Sequence, residues 1–168
     1  YYIKPEVDPL GHGYNLIQSL TSVGSAGFWG KGLGHGSQGR LGFLPEAHTD
    51  FIFAAFVEEW GAIGMMLVMS LFIFLLYRII KIVLNSKNNF ARLCALGIAL
   101  VIFSQTVINI GMNIGMFPIT GITLPFVSYG GSSLVVSCMS IGVLLRIHSD
   151  LRMRESTAAD ESRGQDER

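Results

Sequence analysis

Three long apolar segments constrain the fold of this 168-residue chain more than any other feature of its sequence. They lie at about 51–77, 90–112 and 130–147. The uncharged run from Trp60 to Tyr77 is just long enough to cross a bilayer's hydrocarbon core, at about 1.5 Å rise per residue. Such runs are typical of membrane helices and outweigh the length-based expectation of a soluble domain. We therefore predict an all-α polytopic membrane protein, with three transmembrane helices that follow a long loop.

The overall charge balance hides a strong segregation along the chain. There are 12 basic and 12 acidic side chains, but 51–147 carries few of them and 149–168 is almost entirely polar. We expect this tail to be disordered. The chain shows no basic stripe of the kind that nucleic-acid binders need, so we expect no nucleic-acid partner. Cys94 and Cys138 lie inside apolar segments, where a thiol behaves as a small hydrophobe, and we infer no disulfide.

Basic residues mark one side of the predicted membrane region. No acidic residue lies between Tyr77 and Leu93, and Arg or Lys also follows the last apolar segment; these basic residues are Arg78, Lys81, Lys87, Arg92, Arg146, Arg152 and Arg154. The positive-inside rule places both of these ends in the cytoplasm. The loop 1–50 then lies outside, extracellular or periplasmic, and the protein is a multi-pass protein of the inner (cytoplasmic) membrane. Because the chain opens in a polar loop, we expect it to be the C-terminal part of a larger protein.

The loop has two recognisable parts. Apolar positions between Tyr14 and Val23 predict a short amphipathic helix at the membrane interface. Glycine then recurs from Gly24 to Gly39, which favours loop over helix because glycine costs about 1 kcal/mol per residue in a helix. The run Lys31-Gly-Leu-Gly34 lacks the Gly-Lys-Ser/Thr ending of a nucleotide-binding loop and follows no predicted strand.

The segment 114–129 is apolar but is interrupted by Pro118, Gly121 and Pro125. Irregular backbone at membrane depth is tolerated only where protein buries it or where it lines a cavity. We therefore predict a re-entrant turn at 114–129, and the serines from Ser128 to Ser133 supply a cap for the last helix.

Asp50 lies where the polar loop meets the first membrane helix. One interpretation makes Asp50 or Thr49 the N-cap of that helix. The other makes Asp50 a general acid or base at the membrane surface, beside apolar walls. The two roles can coexist. Glu46 is four residues away and would share a helical face with Asp50, but a paired-carboxylate glycosidase is only weakly indicated.

The other candidates each have a structural and a functional interpretation. His48 can touch a phosphate or simply be solvated, and Lys31 and Arg40 can neutralise a lipid diphosphate or contact anionic headgroups. Glu58 and Glu59 are more often structural, but one of them must face protein or water rather than lipid. Polar positions on the later helices are more often hydrogen-bonding partners between helices than substrate contacts; these are Gln105, Asn109 and Ser132. No spacing typical of metal ligands links the loop histidines.

Three motifs together resemble the SEDS family (shape, elongation, division and sporulation), which includes RodA and FtsW. The first runs from Phe43 to Ala54 and continues through Glu58-Glu-Trp-Gly61 and Gly64. The second is Gly121-Ile-Thr-Leu-Pro-Phe-Val-Ser-Tyr-Gly-Gly-Ser-Ser133. The third is Asp8-Pro-Leu-Gly11 with Tyr14 and Gln18-Ser19. They cover about 8–147 in the family's order, with features of both RodA and FtsW and a slight balance toward RodA.

The resemblance implies a parent of about ten membrane helices, of which this chain holds the last three. SEDS proteins are glycosyltransferases that polymerise lipid II, an undecaprenyl-diphosphate-linked disaccharide peptide, into peptidoglycan beside a class B penicillin-binding protein, for cell elongation or division. The family's essential loop aspartate falls on Asp50, as general base. A positive group or a divalent cation (Mg²⁺ or Mn²⁺) would accept the leaving diphosphate. As substrate-binding candidates we take Glu46, His48, Lys31, Arg40, Gln18, Glu58, Asn109 and Ser132, with membrane lipids as further contacts.

Two other functions remain open from the sequence. A lipid II flippase would also place polar residues on membrane helices beside a broken segment. A non-catalytic scaffold for a penicillin-binding protein would use the loop carboxylates only for packing. We expect residues 1–168 alone to be inactive, because three helices cannot enclose a substrate cavity.

Overall fold

The computed structural model describes residues 12–32 and 49–166, and within them the chain is entirely helix and connecting loop. Its four helices are α1 (His12–Ser25), α2 (Ile52–Asn85), α3 (Asn89–Asn113) and α4 (Gly131–Asp166). Three stretches are long and apolar enough to cross a membrane, namely Ile52–Asn85, Asn89–Asn113 and Gly131–Leu151. The predicted all-α class is confirmed.

The helices extend further than the sequence predicted at two ends. α2 runs to Asn85 rather than Tyr77, since nothing before Ser86 breaks it and long basic side chains can reach water from within a helix. α4 continues to Asp166, where we expected a disordered tail from 149. This tail is rich in helix-forming Ala, Arg and Glu. Arg146 and Asp150 add an ion pair one turn apart, with Nη2 and Oδ1 3.2 Å from each other.

The glycine-rich loop after α1 packs into a break in α2. Gly61 has φ 67° and ψ −161°, so the helix is interrupted there. The loop satisfies backbone groups that the break exposes: the N–H of Lys31 donates to the carbonyl of Glu58 at 2.9 Å, that of Gly32 to Glu59 at 3.1 Å, and that of Ala62 to Gly27 at 3.0 Å. The loop therefore replaces part of α2's own hydrogen-bond ladder.

The buried residues form two main clusters at different heights of the bundle. The first joins the loop after α1, α2 and the segment before α4, through Ala26, Phe53, Val57, Val68, Phe72 and Leu124. The second joins α2, α3 and α4 further from Asp50, through Ile79, Val83, Ala95, Ala99, Ile102 and Leu144. Large apolar side chains on the outer faces stay exposed, for example Leu71 at 59% and Phe74 at 61%, as expected of faces that meet lipid or further protein.

The connection between α3 and α4, 114–130, is irregular and folds back onto α3. Phe117 packs so closely on Gly111 that a Cβ there would lie 2.2 Å from its ring. Further along, Ser128 Oγ accepts a hydrogen bond from the N–H of Leu124 at 2.8 Å, which closes a compact turn. Inside this turn Phe126 adopts φ 64°, a strained conformation for a non-glycine residue. The predicted interruption of helix is therefore present, while its depth in a membrane stays a prediction.

Candidate active site

Asp50 directly precedes α2, and the N-cap position belongs to its neighbour. The cap residue is Phe51, which has no side-chain cap hydrogen bond. The orphan N–H of Ala54 in the first turn instead donates to Asn113 Oδ1, at 3.3 Å. A side chain from α3 thus satisfies one of the N–H groups that an N-cap would serve, because it reaches the α2 N-terminus from a neighbouring helix. The prediction that Asp50 or Thr49 is the N-cap is wrong.

Two asparagines of α3 hold the backbone of Asp50. The carbonyl oxygen of Asp50 accepts from Asn109 Nδ2 at 3.0 Å and from Asn113 Nδ2 at 3.2 Å. The asparagines are four residues apart and so share one face of α3. Both are completely buried. Asn113 Nδ2 also donates to the carbonyl of Asn109 at 2.8 Å, which links the pair. The backbone of Asp50 is therefore held in position by a buried amide pair on α3.

The other wall of the site is the irregular segment before α4. Asn109 Nδ2 also donates to the carbonyl oxygen of Ile122, at 2.7 Å. The preceding Gly121 has φ 68°, and a Cβ built there would lie 3.6 Å from Asp50 Oδ2. The carboxylate thus lies against a residue without a side chain. Since Asn109 Nδ2 donates to the carbonyls of both Asp50 and Ile122, this one amide links the backbone of Asp50 to the backbone that faces its carboxylate.

α1 joins the same network from the loop side. Ser19 is completely buried, and its hydroxyl donates to the carbonyl oxygen of Asn113 at 2.8 Å. The helix predicted to lie at the interface is therefore attached directly to the asparagine pair. Sequence analysis missed Ser19 and Asn113, although the four-residue spacing from Asn109 to Asn113 was a visible signal.

An ion pair lies beside the break in α2. Lys31 Nζ is 2.7 Å from Glu58 Oε1, and the side chains are 30% and 1% exposed respectively. A buried carboxylate is stable only when it is paired. The pair joins the side chains of the same two segments that exchange backbone hydrogen bonds, so Lys31 and Glu58 hold the glycine-rich loop in place.

Comparison with known proteins decides the family. The FtsW/RodA/SpoVE family model, described as a cell cycle protein, matches residues 1–153. The chain belongs to this family. The SEDS resemblance drawn from the three motifs is therefore confirmed, and the membrane helices, Asp50 and the turn before α4 are parts of a SEDS protein.

Several curated relatives in the SEDS family are similar to this chain. Peptidoglycan glycosyltransferase MrdB of Escherichia coli (strain K12) is 45% identical over 151 residues, which are 90% of this chain and 41% of MrdB. Stage V sporulation protein E of Bacillus subtilis (strain 168) is 49% identical over 146 residues, which are 87% of this chain and 40% of that protein. The chain thus spans about two-fifths of the length of these relatives.

A solved SEDS structure is also similar. It comes from a peptidoglycan synthase complex in which polymerization and crosslinking are coordinated, and it superposes with a TM-score of 0.75 at 32% identity. The match covers 89% of this chain and 40% of that chain. The arrangement of the described helices is therefore that of a SEDS protein.

Within this SEDS chain, the structure brings together only part of the predicted site. Asn109 is fully buried and both of its amide hydrogens bond to backbone carbonyls, which favours a positioning role over the predicted substrate contact. Glu58 is likewise buried and pairs with Lys31, which favours the structural interpretation. Gln18 is half-buried on α1, and Ser132 is exposed in the first turn of α4. The remaining predictions, Glu46, His48 and Arg40, lie outside the described residues.

The predicted divalent cation finds no ready site in the described part of the chain. Across 12–32 and 49–166, no group of three or more His, Cys, Asp or Glu side chains could hold a metal ion. A Mg²⁺ or Mn²⁺ ion at an enzyme site needs several oxygen ligands. The cation stays a prediction, and no step below passes through it.

Proposed function

We propose that the protein to which this chain belongs is a peptidoglycan glycosyltransferase that polymerises lipid II, and that Asp50 is its general base. The observation that carries this proposal is the setting of the Asp50 carboxylate. Asn109 and Asn113 hold the backbone of Asp50, and the Oδ2 atom of Asp50 faces Gly121, where no side chain fills the space. The peptidoglycan glycosyltransferase named among the relatives supports this function.

The proposed step is a displacement at the anomeric carbon of the donor sugar. The acceptor's 4-hydroxyl oxygen forms the new bond to that carbon while Asp50 takes the hydroxyl proton. The bond from the anomeric carbon to the diphosphate oxygen breaks, and undecaprenyl diphosphate leaves with the electron pair. A positioned base of this kind contributes about 10²–10⁴-fold to a rate.

Rigid support explains why Asn109 and Asn113 matter to this chemistry. A catalytic group that is already held in its reactive geometry accelerates the reaction, because it loses little further conformational entropy when the transition state forms. The asparagines hold the carbonyl of Asp50, and Asn109 also holds the facing backbone at Ile122. In this proposal they are positioning residues, since neither is exposed to a substrate.

The leaving diphosphate needs a positive group, and the ion pair argues against Lys31 as its main ligand. The charge of Lys31 is already matched by Glu58 at 2.7 Å. To bind a phosphate oxygen directly, Lys31 would have to leave a buried carboxylate unpaired, which is costly. Arg40 and His48 remain the proposed contacts from this chain, together with basic groups elsewhere in the protein.

The spacing along α2 supports the proposed orientation in the cytoplasmic membrane. From Gly61, on the Asp50 side of α2, to Arg78 the helix rises about 26 Å at about 1.5 Å per residue, close to the thickness of a hydrocarbon core. Asp50 and the basic end of α2 therefore fit opposite interfaces. With the basic end in the cytoplasm, Asp50 lies at the outer face, where the sugar of a translocated lipid II would be presented.

We also propose a class B penicillin-binding protein as partner, in a role in cell elongation or division. The structural neighbour from a complex that coordinates polymerization and crosslinking supports such a partner. On this chain, Phe28 and Trp29 are 73% and 83% exposed beside the break in α2. Exposed aromatic residues of this kind suit either a membrane interface or a protein contact.

The test uses the full-length protein, purified with its partner and reconstituted in vesicles with fluorescent lipid II. We expect a ladder of glycan polymers that grows with time. A flippase would instead move labelled lipid II between leaflets without forming polymer, and a scaffold would do neither. Transport without polymer, in a preparation whose partner retains crosslinking activity, would overturn the proposal.

A further inference from the structure

A cleft lies between α2 and α4, at the end of the bundle opposite Asp50. Its volume is about 420 Å³. The apolar part of its wall comes from both helices, with Leu75, Ile79, Ile82, Ile141, Leu144 and Leu145. It is thus separate from the candidate active site and is not used by the proposed reaction.

The mouth of the cleft is basic. Arg78, Lys81 and His148 line it, and none of the lining residues whose side chains the structure describes is acidic. Within the described residues neither Arg78 nor Lys81 has an ion-pair partner. Asp150, an acidic residue of α4 at this end, pairs with Arg146 instead, with Oδ1 3.2 Å from Nη2. Among the described side chains, the cleft therefore combines positive charge with an apolar wall.

The height of the cleft matches the headgroup region of a bilayer. Arg78 and Lys81 lie about 26 and 30 Å along α2 from Gly61, at about 1.5 Å per residue. If the Asp50 end lies at one interface, these two side chains lie near the other. Basic pockets between transmembrane helices at this depth are suited to the phosphates of anionic lipids, and the apolar wall suits an acyl chain.

We propose that this cleft binds an anionic phospholipid of the leaflet opposite Asp50. The phosphate contacts Arg78 and Lys81, and one acyl chain lies along Ile79, Ile82 and Leu145. Charge complementarity favours a lipid over a further helix of the protein, because an apolar helix packed here would bury two unpaired cations at considerable cost. This inference does not depend on the role of Asp50.

The test is native mass spectrometry of the full-length protein in detergent, with added dioleoyl phosphatidylglycerol or dioleoyl phosphatidylcholine. We expect preferential retention of phosphatidylglycerol. The double variant Arg78→Gln/Lys81→Gln should weaken that binding roughly 10-fold or more, since each cation near a membrane surface contributes appreciably to anionic-lipid binding. Leu145→Trp, which fills the cleft without changing its charge, should weaken binding of the same lipid.

A matched control removes two cations from the same end of the bundle but outside the cleft. Lys87→Gln/Arg92→Gln should retain phosphatidylglycerol as wild type does. An equal loss in this control would show a general surface-charge effect and overturn the proposal. Equal binding of both lipids, or no effect of Leu145→Trp, would overturn it too, the latter because the lipid would then lie elsewhere.

Inorganic phosphate as competitor should not displace the lipid, since it lacks the acyl chain; displacement would identify a simple phosphate site instead.

Discussion

Gly61→Ala is expected to destabilise the folded protein by about 3 kcal/mol or more, from backbone strain and lost hydrogen bonds. The alanine would have to keep φ 67°, and its Cβ would lie 2.3 Å from the backbone nitrogen of Gly30 and 2.6 Å from the carbonyl oxygen of Phe28. Both neighbours are backbone atoms that cannot rotate away. Relief requires the glycine-rich loop to leave the break in α2, with loss of its three backbone hydrogen bonds. Unfolding in mixed detergent micelles measures the change.

Gly97→Ala is the matched control for this substitution. Gly97 lies within α3, and nothing described lies within 4 Å of a Cβ built there. Alanine is a better helix former than glycine by about 1 kcal/mol, so we expect unchanged or slightly higher stability. Gly30→Ala should behave like Gly61→Ala, since its Cβ would lie 2.2 Å from the carbonyl oxygen of Glu59. Equal stability of Gly61→Ala and Gly97→Ala would contradict the described packing of loop against helix.

Asp50→Asn is expected to lower the rate of lipid II polymerisation by about 10²–10⁴-fold. The amide has nearly the shape of the carboxylate but cannot accept the proton of the acceptor hydroxyl. The hydrogen bonds from Asn109 and Asn113 go to its backbone carbonyl, and the substitution leaves them unchanged. We therefore expect a large loss of activity with little loss of stability. Polymer formation by the full-length protein with its partner measures the first, and a thermal melt measures the second.

Asp150→Asn provides a carboxylate control at the opposite end of the bundle. Asp150 pairs with Arg146 one turn away on α4, where both side chains are well exposed. Surface pairs contribute little to stability, so this variant should polymerise lipid II at the wild-type rate. If Asp50→Asn, folded as wild type, also polymerised at that rate, Asp50 would not be the base.

The sequence predicted the elements whose signals are local. Apolar length identified the three membrane helices, and interruption by Pro118, Gly121 and Pro125 identified the irregular segment before α4. The motif around Asp50 pointed to the candidate base. Each of these conclusions depends on neighbouring residues only, which is why a single sequence sufficed.

The contacts that position the site could not be predicted in the same way. The sequence suggested Gln105 and Asn109 as partners on one face of α3, whereas the structure pairs Asn109 with Asn113, because both of these side chains reach the start of α2. The glycine pattern showed that 24–39 is not helix, but not that Gly30 and Gly61 approach each other. Likewise the charge of Lys31 suggested a phosphate ligand until its pairing with Glu58 was visible. All three features depend on contacts between segments that are distant in the sequence.

The most direct test is the distance between Asp50 and the acceptor sugar in a structure of the full-length protein with an unreactive lipid II analogue in the acceptor position. The account predicts that a carboxylate oxygen of Asp50 lies within about 2.6–3.2 Å of the acceptor's 4-hydroxyl oxygen, the range for direct proton transfer. An acceptor bound in the cavity with that hydroxyl hydrogen-bonded to another carboxylate, and out of reach of Asp50 even through one water, would contradict the account.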